Sequence, residues 1–273
     1  MNLQSKTIPL FYWSSIKFEG KLKENYGDLL GKYLVEKISG KEVEWVHPKK
    51  QSWFKWNKKH YLTVGSILAH ATEESVVWGS GIIDRKHHVS KADFRAVRGP
   101  RTRGYLVNLG YDCPEVYGDP ALLLPNYYEP KIEKEYQIGI APHYVDYQKA
   151  KSWYGRCQGV QVIDLITDEI EKTTNEILKC ESIISSSLHG MIIAHAYGIP
   201  AVWVKFSDNL FGDDVKFSDY LESAGLGRYL PHKILQTLTI DDLKNHIKRV
   251  NNLPNPLHLK KLQQGLIQSC PLI

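Results

Sequence analysis

No stretch of this 273-residue sequence approaches the roughly 20 consecutive apolar residues that a membrane-spanning helix requires. Cysteine is scarce: Cys113, Cys157, Cys180 and Cys270 stand far apart, form no C-x-x-C, and have no histidine pair at metal-ligand spacing beside them. That argues against a disulfide framework and a zinc cluster, and leaves the thiols as buried or incidental side chains in a reducing compartment. Charge of one sign is missing too. The 35 Lys+Arg against 30 Asp+Glu leave +5, which suits an anionic substrate but is too weak for nucleic-acid recognition. There is no low-complexity tract and no short-period repeat. Residues 1–15 place one Lys ahead of an apolar cluster and offer no small-residue cleavage site, so no signal peptide is expected. Ordinary proportions remain, 42% hydrophobic and 24% charged, as in a globular domain expected in the cytoplasm.

What the sequence does have is alternation of strand and helix signals. Residues 180–204, CESIISSSLHGMIIAHAYGIPAVWV, are the most informative part. They read as a strand over 182–185, a polar junction over 186–190, an apolar helix over 191–197, a Gly-Ile-Pro stop and a buried strand over 201–204. This βαβ unit puts Ser186, Ser187 and His189 where a strand ends and a helix begins. Open α/β sheets bind ligands at that edge, and free N–H groups with the helix dipole favour anions there. Upstream, a helix is predicted over 29–38, closed by Gly40, and strands over 61–64, 75–78, 93–97 and 115–117. Pro100 and Gly110 bracket a helix. Residues 125–134 read as a linker. Strands then resume at 136–141 and 160–165, with helices over 167–179, 241–250 and 256–268. Two such alternating runs imply an α/β fold of two Rossmann-like domains facing each other across a cleft, residues 1–129 and 130–273, the second with a helical tail.

Several motifs have both a functional and a purely architectural reading. In SSSLHG, Ser186 could cap a helix and His189 fill the core, or both could serve an anion site with a proton-transferring imidazole. In Arg98-Gly99-Pro100-Arg101-Thr102, the guanidinium forks match carboxylate or phosphate, or else sit on a solvated turn. Pro142-His143-Tyr144-Val145-Asp146 follows a strand and is expected on the same edge as His189. Gly79-Ser80-Gly81 is a tight turn or a close backbone approach to a ligand. Asp28, after Asn25, caps a helix or meets a sugar hydroxyl. The stretch from Lys49 to His60, KKQSWFKWNKKH, is a solvated basic loop, a membrane contact or a holder of a lipid-linked diphosphate.

In this order the pieces resemble the polysaccharide pyruvyl transferase family. The matching text is NYGD (25–28), VVWGSGI (76–82), VRGPRTRGYL (97–106), EVYGDPALLLP (115–125), IGIAPHYVD (138–146), CESIISSSLHGMIIAHAYGIP (180–200) and WVKFSDNLFGDDVKFSDYL (203–221). The resemblance implies a GT-B-like two-domain fold, phosphoenolpyruvate as donor with no further cofactor or metal, and a sugar acceptor on a cell-surface glycan or its lipid-linked precursor. It implies His189 and His143 as the acid/base pair. Arg98, Arg101, Ser186, Ser187, Gly190 and Lys205 would meet the donor, and Asn25, Asp28, Gly79 and Ser80 the acceptor. On this reading the first domain supplies the acceptor side and the arginines, and the second the donor side. Many family members have Arg where this sequence has Ser187, so another cation, Arg98, Arg101 or Lys205, is expected to neutralise the donor. A nucleotide-sugar glycosyltransferase of the same architecture and a catalytically silent glycan-binding subunit are the alternatives.

Overall fold

The computed structural model of the chain describes residues 6–250 and 252–273. The first five residues of the stretch read above for a leader lie outside them. Two five-stranded sheets, all parallel, carry the fold. The first contains β1 (Thr7–Phe11), β2 (Glu42–Trp45), β3 (His60–Leu62), β4 (Ser75–Trp78) and β5 (Asp93–Ala96) in the order β2-β1-β3-β4-β5. The second contains β6 (Ile138–Ala141), β7 (Val160–Val162), β8 (Ile183–Ser185), β9 (Ala201–Lys205) and β10 (His232–Lys233) in the order β10-β9-β8-β6-β7. Counted within each sheet, both orders are the same. In each, the first strand lies between the second and the third. The chain direction across the sheet therefore reverses beside β1 in one half and beside β6 in the other. Such reversal points open a crevice at the carboxyl ends of the strands.

The helices are α1 (Ser15–Glu19), α2 (Tyr26–Ser39), α3 (Pro100–Asn108), α4 (Tyr147–Tyr154), α5 (Ile170–Leu178), α6 (Leu188–Ala196), α7 (Val215–Ser223), α8 (Ile240–Lys248) and α9 (Pro256–Gln268). Local chemistry fixes most of their ends. The Asn25 side chain accepts from the Gly27 N–H to start α2, and Gly40, at φ 66, ends it with its N–H on the Glu36 carbonyl. Helix α6 is apolar all round and buried from Leu188 to His195, as expected of a helix with no solvent face.

The pattern misses β1 and β2, because β1 (TIPLF) does not alternate and β2 (EVEW) alternates over only 4 residues. Residues 115–117 form only an isolated bridge, Val97 to Tyr117, where a strand is expected. Pro125 belongs to a 3-10 helix, Pro120–Asn126, rather than to the linker.

One of the apolar clusters joins helices of the first half to the second sheet. Leu30 and Leu34 of α2 and Leu122 and Leu124 of the 3-10 helix pack in the same cluster as Met191, Ile192, Trp203 and Phe217. The tail crosses back: the Trp78 indole N–H donates to the Leu266 carbonyl of α9 over 2.9 Å, and the Gln263 amide to the Leu122 carbonyl over 2.8 Å.

Candidate active site

Segments leaving the carboxyl ends of β1, β3, β6 and β8 all line one cavity of about 790 Å³. Trp13 follows β1; Gly65 and Ser66 follow β3; His143 and Tyr144 follow β6; Ser187, Leu188 and His189 follow β8. Asn25 and Asp28 enter from the start of α2, and Lys216 from the start of α7. His47, Lys49, Lys50, His70, His87 and Phe211 are also part of the lining, as is the Glu19 carboxylate.

His189 sits in the first turn of α6, closely packed against the start of α2. Gly27 makes the room: a Cβ there would lie 2.1 Å from His189 Nδ1. On the other side, His189 Nε2 stands 3.4 Å from Oδ2 of Asp119, a carboxylate with no solvent exposure. The other Asp119 oxygen accepts from the Ala121 N–H, so the carboxylate is fixed by its own turn. Both facing atoms are buried and neither has a hydrogen-bond partner among the described residues, so they meet as a close ionic approach. An imidazole held against a buried carboxylate is the arrangement that orients and stabilises a proton-carrying histidine.

Several groups lining the cavity are displaced from their ordinary acidity, among them Asp28, Lys216 and His143. Burial pushes the Asp28 carboxyl up to about 7, against the opposing pull of His189 and Lys216. Burial, with repulsion from Arg98, brings the Lys216 ammonium down to about 8. Burial, with Lys216 and Lys21 nearby, lowers His143 to about 3, so it is a neutral imidazole at physiological pH. Perturbed groups gathered in a recess mark functional sites.

Of the residues expected at the site, Asn25, Asp28, His143, Ser187 and His189 line the cavity. The others have different duties. Ser186 accepts from the His143 N–H over 2.9 Å and ties the β6 and β8 edges together. Gly190 lets α6 approach the sheet: its Cβ would fall 2.6 Å from Ser185 Oγ and 2.9 Å from Ala141 Cβ. Gly79, at φ 87, abuts Pro120, and the Ser80 hydroxyl donates to the Gly65 carbonyl. Lys205 is paired with Asp214 outside the cavity.

The arginines do not meet the cavity. Arg98 has no solvent exposure and directs its fork to Asp219 of α7 (3.2 Å), the Ser66 hydroxyl (2.6 Å) and the Ile82 carbonyl (2.7 Å). Arg101 pairs with Glu222 over 2.7 Å. Asp219 also accepts from the Arg101 and Thr102 N–H groups and the Thr102 hydroxyl, capping α3. The RGPRT motif thus docks α3 on α7, and only through Ser66 does Arg98 touch the cavity wall.

Asp119 and Lys216 escape a reading by short motifs. Asp119 looks like a turn residue in GDP, and Lys216 like one more surface lysine between Asp214 and Asp219. Only the packing of the 3-10 helix on α6 and of α7 on α3 brings them to His189 and Asp28.

The fold and this site define a class: an α/β protein whose two Rossmann-like sheets open carboxyl edges into one cavity that gathers titratable side chains. A family model described as polysaccharide pyruvyl transferase matches residues 25–208, and the chain belongs to that family. It is thereby a transferase acting on polysaccharide. The uncharacterized protein L143 of Acanthamoeba polyphaga mimivirus is 32% identical over 235 residues, 81% of this chain and 79% of L143. The succinoglycan biosynthesis protein ExoV of Rhizobium meliloti (strain 1021) is 27% identical over 178 residues, 62% of this chain and 53% of ExoV.

Proposed function

We propose that the protein transfers the pyruvyl group of phosphoenolpyruvate to two hydroxyls of one sugar on a cell-surface polysaccharide or its lipid-linked precursor, forming a pyruvate ketal. The observation that carries this reading is the convergence of His189, backed by buried Asp119, with Asp28 and Lys216 at the cavity beside both strand-reversal points. Family membership and the likeness to a protein named for succinoglycan biosynthesis support the polysaccharide acceptor. A cavity bounded by both sheet edges supports the GT-B-like arrangement, with donor and acceptor entering from opposite halves. No helix among the described residues is long and apolar enough to cross a membrane, which accords with work on the cytoplasmic side.

The donor is small and carries a carboxylate and a phosphate. Lys216 is in no ion pair among the described residues and supplies the cation that the expected arginines do not; N–H groups at the start of α6, beside Ser187, supply directed donors. Asp28, half protonated near pH 7, donates its proton to C3, making the methyl group and leaving C2 oxocarbenium-like. The first sugar hydroxyl adds to C2 and gives its proton to His189, whose imidazolium Asp119 stabilises. The bond from C2 to the phosphate oxygen then breaks with its electron pair, and the departing phosphate takes the proton from His189. The second hydroxyl adds to C2 and returns a proton to the Asp28 carboxylate. Neutral His143 offers a hydrogen bond to substrate without adding charge.

Purified protein given phosphoenolpyruvate and a panel of glycan acceptors should release phosphate and yield an acid-labile product. His189→Ala should lower the rate about 10²–10⁴-fold, the range for a positioned general acid/base. No phosphate release across a panel that includes correctly linked acceptors defeats the proposal. Unchanged behaviour of the variant supports a silent glycan-binding subunit instead.

A further inference from the structure

A second basic recess lies outside the cavity described above, between α1 and the loop that follows β2. It measures about 490 Å³ and is lined by Lys17, Phe18, Trp45, Val46, His47, Lys50, Gln51, Ser52 and Lys55. Lys17, Lys50 and Lys55 converge there, and none of the three is in an ion pair among the described residues. Lys17 Nζ rests 4.7 Å from the centre of the Trp45 ring, an arrangement that holds the ammonium in place without neutralising it. The Gln51 side-chain oxygen is buried without a hydrogen-bond partner. From Val46 to Thr72 the sequence contains no carboxylate, so nothing within the loop offsets these cations or Lys58 and Lys59.

Immediately beyond the recess, the same loop exposes its largest apolar side chains. Trp53 is 78% exposed, Phe54 76% and Trp56 101%, although all three lie within four residues of one another. Trp53 and Phe54 rest on each other, ring centres 3.6 Å apart, and form one projecting wedge. Burial of such rings is the usual outcome in a folded chain, and here it does not occur. Aromatic side chains ringed by lysine are the composition that settles at the headgroup level of a bilayer. Anionic headgroups attract each nearby lysine in addition.

We propose that this face docks on an anionic phospholipid bilayer. Trp53, Phe54 and Trp56 enter the interfacial layer, while Lys17, Lys50 and Lys55 receive a lipid phosphate in the recess. Lys50 lines both the recess and the catalytic cavity, so docking holds the cavity mouth at the membrane surface. The occupant is set by charge complementarity: a cluster of unpaired cations with apolar tips selects a surface that is anionic outside and apolar within. The inference adds a location to the proposed reaction but does not depend on the donor being phosphoenolpyruvate.

Co-sedimentation with vesicles tests it. Vesicles of phosphatidylcholine with about 30% phosphatidylglycerol should bind the full chain at least about tenfold more tightly than phosphatidylcholine alone. The advantage should shrink as salt rises, because screening weakens attraction between exposed charges. The triple change Trp53→Ser, Phe54→Ser, Trp56→Ser touches only exposed side chains and should abolish vesicle binding while phosphate release with a soluble acceptor is kept. Lys55→Glu should weaken binding about fivefold or more, since a lysine near the surface contributes about that factor and reversal doubles the change in charge. Equal binding to neutral and anionic vesicles, or binding by neither, overturns the proposal. Self-association that the triple change removes, without vesicle binding, also overturns it and assigns the face to a second copy. Intact vesicle binding without phosphate release leaves the docking proposal standing and counts against the pyruvyl-transfer reading alone.

Discussion

At the residue scale, the site depends on one missing side chain and one buried carboxylate. Gly27 has no Cβ, and His189 occupies that space. Gly27→Ala should therefore displace the imidazole and lower kcat about 10²-fold, the cost of misplacing a reacting group by an ångström, while circular dichroism stays that of the parent. Asp119→Asn keeps the turn's acceptor for the Ala121 N–H but removes the charge facing His189. It should lower kcat about 10²-fold or more and shift the pH profile, a change that a merely structural side chain would not cause. The acidities of Asp28 and Lys216 give a further sign. The proposed reaction uses Asp28 protonated and Lys216 charged, and both conditions are lost as pH rises, Asp28 through about 7 and Lys216 through about 8. Activity at limiting phosphoenolpyruvate should fall across that window, and Lys216→Arg should remove the alkaline part of the fall. A profile flat from pH 6.5 to 8.5, to within about twofold, would contradict the assignment of both groups.

At the element scale, the RGPRT segment shows how a motif can be read for the wrong duty. Arginine beside a helix start suggests an anion site, and the spacing is right for one. Here a protein carboxylate, Asp219 from α7, already fills that role. It takes the α3 N–H groups and the Arg98 guanidinium, and Gly99 is required because a Cβ there would lie 2.2 Å from the Asp219 carbonyl oxygen. Breaking one side of a buried ion pair leaves an uncompensated charge, so Asp219→Ala should destabilise the fold by about 3–5 kcal/mol, measured as the shift in denaturation free energy. The SSSLHG junction, in contrast, is legible because its chemistry is local: the strand ends, the helix starts, and His189 lies on the ligand edge with no help from distant sequence. The strands β1 and β2 are not legible for a related reason. In β2, Glu42 and Glu44 are exposed while Val43 and Trp45 are half-buried, so alternation gives only a faint signal over four residues.

At the scale of the whole molecule, the shared core decides behaviour. Leucines from α2 and the 3-10 helix pack with the α6 and α7 side chains of the other half, and α9 returns to cover Trp78. The two sheets are therefore coupled, and thermal unfolding followed by far- and near-ultraviolet circular dichroism should give coincident transitions. Two separated transitions would show that each half is stable alone. The same coupling builds the cavity, since Asp28 and Lys216 reach it, and Asp119 reaches His189 behind its wall, from elements far apart in the chain.

The sequence by itself determined the α/β character, the two alternating runs, the family, and the placement of His189 and His143 after strand ends. Each follows from periodicity, turn residues or a short contiguous motif, which are properties of neighbouring positions. Tertiary structure alone decided that Arg98 serves Asp219, that Asp119 faces His189, and that Lys216 reaches the cavity beside Asp28 with no ion pair among the described residues. Those outcomes depend on which buried charges meet across long stretches of chain, 121 residues for Arg98 and Asp219, and no local pattern encodes that pairing.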